Sequence, residues 1–198
     1  MSWPDPISLQ GDFVVLAPLS QDHAADLTEA ANDGEVYKLW YTSIPAPDAV
    51  PAEIDRRLAL QKAGSMLPFA ILDKISGKAV GMTTYMNIDA LNRRVEIGST
   101  WYRKAVQRSP FNTECKLLLL THAFEELNCI AVEFRTHFMN QQSRGAIERL
   151  GAKLDGILRS HQKMADGSLR DTVVYSIIAC EWPSIKNHLE WQLAKPRG

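Results

Sequence analysis

Between Val95 and Gly151 the apolar positions change period several times, and each change marks an element. Val95 to Tyr102 alternates as a strand does, with Glu96, Gly98, Thr100 and Tyr102 on one face and Val95, Ile97, Ser99 and Trp101 on the other. A polar, basic stretch follows, from Arg103 to Ser109. Leu117, Leu120, Phe124 and Leu127 then recur at helical spacing behind Asn112-Thr113-Glu114, which predicts a helix with one apolar stripe toward a core. Ile130 to Phe138 alternates again as a strand. Asn140-Gln141-Gln142-Ser143 opens a helix that the Leu150-Gly151 pair closes.

The rest of the chain extends this pattern. Gly11 to Pro18 reads as a strand, and Ser20-Gln21-Asp22-His23 starts a helix that reaches Asn32-Asp33-Gly34. Trp40 to Pro47 carries two prolines and cannot be regular helix, and it is rich in aromatics for a loop. Pro51-Ala52-Glu53 opens a helix that ends near Gly64, with Ile54 and Leu58 on one side. Leu67 to Leu72 and Lys78 to Ile88 form strands joined at Asp73-Lys74-Ile75-Ser76-Gly77. Ala152 to Lys163 and Leu169 to Ala179 form a second hairpin around Asp166-Gly167. A helix from Pro183 to Leu193 ends the pattern. The order β-α-α-β-β-β-α-β-α-β-β-α predicts an α/β (α+β) domain with a largely antiparallel sheet over residues 11–193, flanked by tails at 1–10 and 194–198.

Composition narrows the function. A chain of 198 residues supports one well-buried domain, and a net charge of −1 gives no field that would gather nucleic acid. No apolar run approaches the roughly 18 residues a membrane span needs, and the start of the chain lacks the regions of a signal peptide, so the expected setting is the cytoplasm. Cys115, Cys129 and Cys180 are odd in number and widely spaced, which argues against a disulfide framework. With His23, His122, His137, His161 and His188 scattered, no metal site is expected. The G-x-S-x-G, P-loop and G-x-G-x-x-G fingerprints are absent.

One constellation carries chemistry. A basic loop that runs into a helix start places cationic side chains beside unpaired backbone N–H groups, an arrangement suited to a pyrophosphate. It is equally the arrangement of a solvated loop before an ordinary capped helix.

With this element order, the loop segment Gln107-Arg108-Ser109-Pro110-Phe111-Asn112 and the Asn140-x-x-Ser143 helix make the chain resemble the GNAT acyl-CoA N-acetyltransferases, in particular their RimJ/RimL-like branch. The resemblance spans about Gly11 to Leu193 and implies a single GNAT-like domain with helices on both faces of the central sheet. It implies acetyl-CoA as cosubstrate, an amine acceptor, no metal, and direct attack in a ternary complex. The family loop is usually Q/R-x-x-G-x-G/A. Gln107 fits it, whereas Pro110 and Asn112 replace its glycine and its glycine or alanine, so the backbone donors left are Arg108, Ser109, Phe111, Asn112 and Thr113. The Arg108 side chain can offset the lost donor.

By the same resemblance, Asn140 and Ser143 contact the pantetheine arm and the sulfur; otherwise they simply cap the helix. The family tyrosine that protonates the leaving thiolate falls at Ile147, so Ser143 or water takes that role. Glu96 falls at the family's general base, which an amine with a pKa of about 8 to 10.4 requires. The competing assignment pairs Glu96 with Arg93, Arg94 or Arg135. Main-chain groups of Thr100, Trp101 and Tyr102 fall where the family strand splays and binds pantetheine. The acceptor side matches Tyr37, Trp40 and Tyr41, with Arg159 placed to orient a carboxylate beside His161. A protein or peptide N-terminus and a small-molecule amine are both expected acceptors. Pro110, Asn112 and Ile147 motivate an alternative, a non-catalytic acyl-CoA-binding or protein-interaction module on the same fold. The aromatic loop and the helix bearing Trp182 and Trp191 offer surfaces for a homodimer.

Overall fold

The computed structural model describes residues 3–195; residues 1–2 and 196–198, which belong to the expected tails, lie outside it. In chain order the elements are β1 Leu9–Gln10, β2 Val14–Pro18, α1 Ala24–Asn32, α2 Val50–Lys62, β3 Met66–Asp73, β4 Ala79–Asp89 and β5 Arg94–Tyr102. These are followed by α3 Phe111–Thr121, β6 Ala131–His137, α4 Gln141–Arg149, β7 Lys153–Lys163, β8 Leu169–Ile178 and α5 Trp182–Ala194. All eight strands form one sheet in the order β1-β2-β3-β4-β5-β6-β8-β7, antiparallel except where β5 meets β6. The expected α/β class, the largely antiparallel sheet and both hairpins are present, with Gly77 and Gly167 at positive φ in the turns.

Three local features depart from the sequence pattern. β1 is an additional strand: Leu9 and Gln10 pair with Leu16 and Val15, so part of the stretch set apart as an N-terminal tail is sheet. Glu114 of α3 holds the turn after β1. Its carboxylate accepts N–H groups from Asp12, Phe13 and Val14 at 2.7, 2.7 and 2.8 Å, and a Cβ on Gly11 would stand 2.3 Å from it. The helix predicted to run to Leu127 widens into a π-type turn over His122–Glu126, closed by the Leu127 N–H on the His122 carbonyl at 3.0 Å. Trp182 is not surface: it stacks on Phe124 with ring centroids 5.4 Å apart and is buried, whereas Trp191 is exposed.

Two apolar clusters lie on opposite faces of the sheet. Val95, Ile97, Leu119, Leu120, Phe134, Ile147 and Leu189 belong to the face of α3, α4 and α5; Leu27, Ile54, Met82 and Trp101 belong to the face of α1 and α2. A residue pair on one strand therefore changes sides between Ile97 and Trp101. The cause is a bulge. Register runs Thr84↔Gly98 and then Met82↔Trp101, so Ser99 and Thr100 together oppose Thr83, with Ser99 at φ 48°. The uninterrupted alternation expected for this strand fails there: Glu96 and Gly98 share a face with Trp101, while Tyr102 packs with Val95 and Ile97.

Under α3 the bulge meets a buried cation. The Lys116 ammonium donates to the Thr100 hydroxyl at 2.9 Å and approaches that of Thr83 at 3.4 Å, and burial lowers its pKa to about 8. A native pKa below the unfolded value means that the folded state resists protonation. The penalty of about 3 kcal/mol is therefore complete below pH 8 and disappears as pH rises toward 10.5. Lys116→Met is accordingly expected to raise stability by about 2–3 kcal/mol at pH 7, with the gain vanishing toward pH 10.5 in denaturant titrations across that range.

Candidate active site

The parallel ladder between β5 and β6 is short. Arg94, Val95 and Glu96 pair with Ala131, Val132 and Glu133, after which β5 continues beside β4 while β6 continues beside β8. The two strands thus diverge beyond Glu96 and open a cleft between them. The Arg103 N–H donates to Val80 on β4 at 2.8 Å. Ladder alternation then turns Trp101 main-chain groups toward β4 and those of Tyr102 toward the cleft. The Tyr102 carbonyl accepts from Gln107 Nε2 at 3.2 Å, consistent with that orientation. The main chain expected of Trp101 is consequently committed to the sheet, and its side chain is core.

Past Tyr102 the cleft leads to the start of α3. Arg103 does not serve the loop as a free cation: it bonds Asp33 at 2.9 Å and Glu29 at 3.2 Å on the α1 side. Gln107 is spent shaping the loop, through Tyr102 and through its own N–H on the Lys104 carbonyl at 3.1 Å. Arg108 takes φ 59°, Ser109 Oγ donates to the Val106 carbonyl, and Phe111 N–H donates to Ser109 Oγ at 3.3 Å. Phe111 is thereby removed from the expected donors. The N–H groups of Arg108, Ser109, Asn112 and Thr113 meet no acceptor among the described residues, and the exposed Arg108 side chain meets no carboxylate among them within 4 Å. Pro110 is the N-cap residue of α3 at φ −60°, ψ −24°, which proline adopts without strain. The replacement of the family glycine therefore preserves the helix start.

At the fork itself sits Glu96, 5% exposed, on the face away from α3. Its Oε2 accepts from Asn87 Nδ2 at 2.7 Å and stands 3.5 Å from Arg135 Nε. Arg94 turns instead to Glu133 at 2.5 Å, and Arg93 to the Leu127 carbonyl at 3.2 Å, so of the three expected ion-pair partners only Arg135 reaches Glu96. Burial raises the Glu96 pKa, opposed by the Asn87 hydrogen bond and the Arg135 charge. A pocket of about 180 Å³ opens beside it, lined by Asn87, Asp89, Arg94, Glu133 and Arg135 among others. A Cβ at Gly98 would lie 2.8 Å from Glu96 Oε1 and 2.6 Å from Met86 Sδ, so glycine there keeps room for the carboxylate.

Further along the same face, His137 is buried and accepts the Met139 N–H on Nδ1 at 3.0 Å, and Trp40 packs edge-on against its ring with centroids 5.2 Å apart. Burial, then the Arg170 charge, holds the His137 pKa below its ordinary value, so the ring is neutral. Trp40 also meets Tyr41 edge-on at 5.6 Å. Tyr37 contacts Lys38 of its own turn, at 6.0 Å. Arg159, expected to orient a carboxylate, is already paired: Asp171 holds its Nε at 2.6 Å and the Ser160 N–H at 2.7 Å, stabilising a bulge in β7. His161 Nδ1 lies 3.1 Å from Thr172 Oγ1.

On the other face, Asn140 is the N-cap of α4, its Oδ1 accepting the Ser143 N–H at 3.0 Å. The capping assignment thus accounts for one of its polar groups. The Ser143 hydroxyl meets no partner among the described residues, and Ile147 is core. Two residues of this region escaped sequence reasoning: Arg57, whose guanidinium reaches from α2 to the bulge, and Arg170, which acts electrostatically on Glu96. Nothing local in the sequence marks which arginines are left without a carboxylate.

The described residues hold no group of three or more His, Cys, Asp or Glu side chains able to bind a metal, and no helix among them is long and apolar enough to cross a membrane. Cys115, Cys129 and Cys180 are free thiols.

Residues 14–153 match the family model described as the acetyltransferase (GNAT) domain. The chain is 34% identical over 110 residues, 56% of its length, to the protein named "Putative ribosomal N-acetyltransferase YdaF" of Bacillus subtilis (strain 168), and spans 59% of that relative. A GCN5-related N-acetyltransferase from Brucella melitensis superposes with a TM-score of 0.86 at 32% identity, over 96% of this chain and 87% of that one. RimJ of Mycobacterium smegmatis, solved with CoA-disulfide, shares the fold with a TM-score of 0.77 at 24% identity, covering 96% and 95% of the two chains. The forked β5–β6 pair and the open helix start therefore lie in a chain that belongs to the GNAT N-acetyltransferases.

Proposed function

We propose that the protein is an acetyl-CoA-dependent N-acetyltransferase that moves the acetyl group directly to a primary amine. The observation carrying this reading is the cleft that opens past the Glu96↔Glu133 pair and ends at the unbonded N–H groups of Asn112 and Thr113. Those donors, with Arg108 and the main chain of Ser109, suit the pyrophosphate. Main-chain groups of Thr100 and Tyr102 suit the pantetheine arm along the cleft, with Asn140 and Ser143 on its far side.

The acceptor amine enters on the Glu96 face. Glu96, directly or through one water, removes the proton, the amine nitrogen attacks the thioester carbonyl, and the C–S bond breaks to release the thiolate, which Ser143 or water protonates. No acyl-enzyme is needed. The acceptor is a protein or peptide N-terminus, in keeping with the words "ribosomal N-acetyltransferase" in the name of YdaF, or a small-molecule amine, with the Trp40–Tyr41 loop beside it. The expected setting is the cytoplasm, and Trp191 with the aromatic loop are the surfaces on which a second copy would pack.

The test is thermal unfolding with acetyl-CoA. At 100 times its dissociation constant the ligand adds about 2.7 kcal/mol, or roughly 5–10 °C for a chain of this size. Arg108→Glu should sharply reduce that rise. Absence of a shift in the wild-type protein would contradict the reading.

A further inference from the structure

Around Glu96 nearly every charge is matched. Glu133 holds Arg94 at 2.5 Å and Arg135 at 2.9 Å, and Glu96 holds Asn87 and, at longer range, Arg135; in the β7–β8 hairpin Asp171 holds Arg159 at 2.6 Å. Arg170 of β8 is the exception. Its guanidinium has no carboxylate within 4 Å and donates to no acceptor among the described residues, and its Nε is sealed from solvent without a partner. It acts electrostatically on two functional candidates, Glu96 and the neutral His137, whose ring carries Trp40. A sealed guanidinium N–H without an acceptor is costly, and a planar fork is suited to a carboxylate.

Resting on the acetyl-transfer reading above, we propose that Arg170 binds a carboxylate of the acceptor, so that the substrate class is a primary amine with a carboxylate a few bonds from the nitrogen. With the amine at Glu96, such a carboxylate lies on the Arg170 side and meets the Nη groups, which no acceptor among the described residues holds. Arg159, already paired with Asp171, does not compete for it. An acidic N-terminal residue and the α-carboxylate of a free amino acid present the same group, and paired ligands separate them.

Binding is measured by calorimetry on the full chain, with and without excess CoA. One pair is two peptides differing only in N-terminal Asp or Asn; the other is alanine and alaninamide. We expect the acid of at least one pair to bind about tenfold or more tightly than its amide, with the responding pair naming the source. Arg170→Gln should erase the difference, and Arg170→Lys, which keeps charge without the fork, should retain part of it. Equal binding within both pairs, a difference that survives in Arg170→Gln, or binding by none of the four would overturn the proposal. A failure of the acetyl-transfer reading registers separately, as a missing acetyl-CoA stabilisation in the unfolding experiment.

Discussion

Glu96→Gln is expected to lower kcat at neutral pH by about 10²–10³-fold, in the range of a positioned general base, while leaving acetyl-CoA stabilisation intact. The variant keeps the shape of the side chain and its acceptor for Asn87, which now bonds at 2.7 Å, and removes only the ability to take a proton. The pH profile should change with it. Burial raises the Glu96 pKa, so in the wild-type protein activity climbs as pH rises through that displaced value. In Glu96→Gln this limb disappears and the rate follows deprotonation of the acceptor amine, near pH 8 for an α-amine. Stability moves the opposite way. A carboxyl whose folded pKa is raised contributes stability below its unfolded pKa, and that contribution is lost as pH rises through the folded pKa. Above that window Glu96→Gln should therefore be at least as stable as the wild type, which separates loss of catalysis from loss of fold. A kcat within a few-fold of wild type would remove Glu96 from the mechanism.

Arg57→Met should cost about 3 kcal/mol, seen as a fall of roughly 6–12 °C in Tm, and should raise the KM for acetyl-CoA. Arg57 is 1% exposed and spans from α2 to the bulge. Its Nε donates to Glu53 at 2.7 Å, Nη1 to Thr84 Oγ1 at 2.7 Å, and Nη1 and Nη2 both reach the Ser99 carbonyl at 3.2 Å. Ser99 is the bulge residue at positive φ, so the guanidinium fixes the main chain where β5 changes face and runs on along the cleft. Methionine fills much of the volume but leaves the Ser99 carbonyl and Thr84 hydroxyl without their donor. Arg57→Lys should recover little, because one ammonium cannot reproduce the fork. A variant of unchanged Tm and unchanged KM would show that the bulge holds without it.

These two residues mark how far the sequence could be read. The alternation of β6, the Asp166-Gly167 turn and the Leu150-Gly151 helix end are local signals, and the structure carries them at the expected places. The bulge at Ser99 is not a local signal. Glu96-Gly98-Thr100-Tyr102 alternates without interruption, and the inversion comes from a guanidinium 42 positions away in the chain. The helix start at Asn112 was legible from the basic loop, yet within that loop Arg103 pairs with Asp33, 70 positions away at the end of α1, and Gln107 turns back onto the Tyr102 carbonyl of β5. On the acceptor side, Arg159 and Arg170 are equivalent as letters. The bulge in β7 presents Arg159 to Asp171 and leaves Arg170 with no carboxylate in reach among the described residues. Pairing of that kind depends on register between strands, which composition and periodicity do not carry.

The most direct measurement is amine-dependent turnover of acetyl-CoA, with released CoA thiol and acetylated acceptor quantified in the same reaction for N-terminal peptides and small amines. The account predicts equal amounts of both products, no thiol release without an amine, and loss of both in Glu96→Gln. Thiol release that ignores the amine, or no acetylated product across both acceptor classes from protein that acetyl-CoA stabilises, would contradict it.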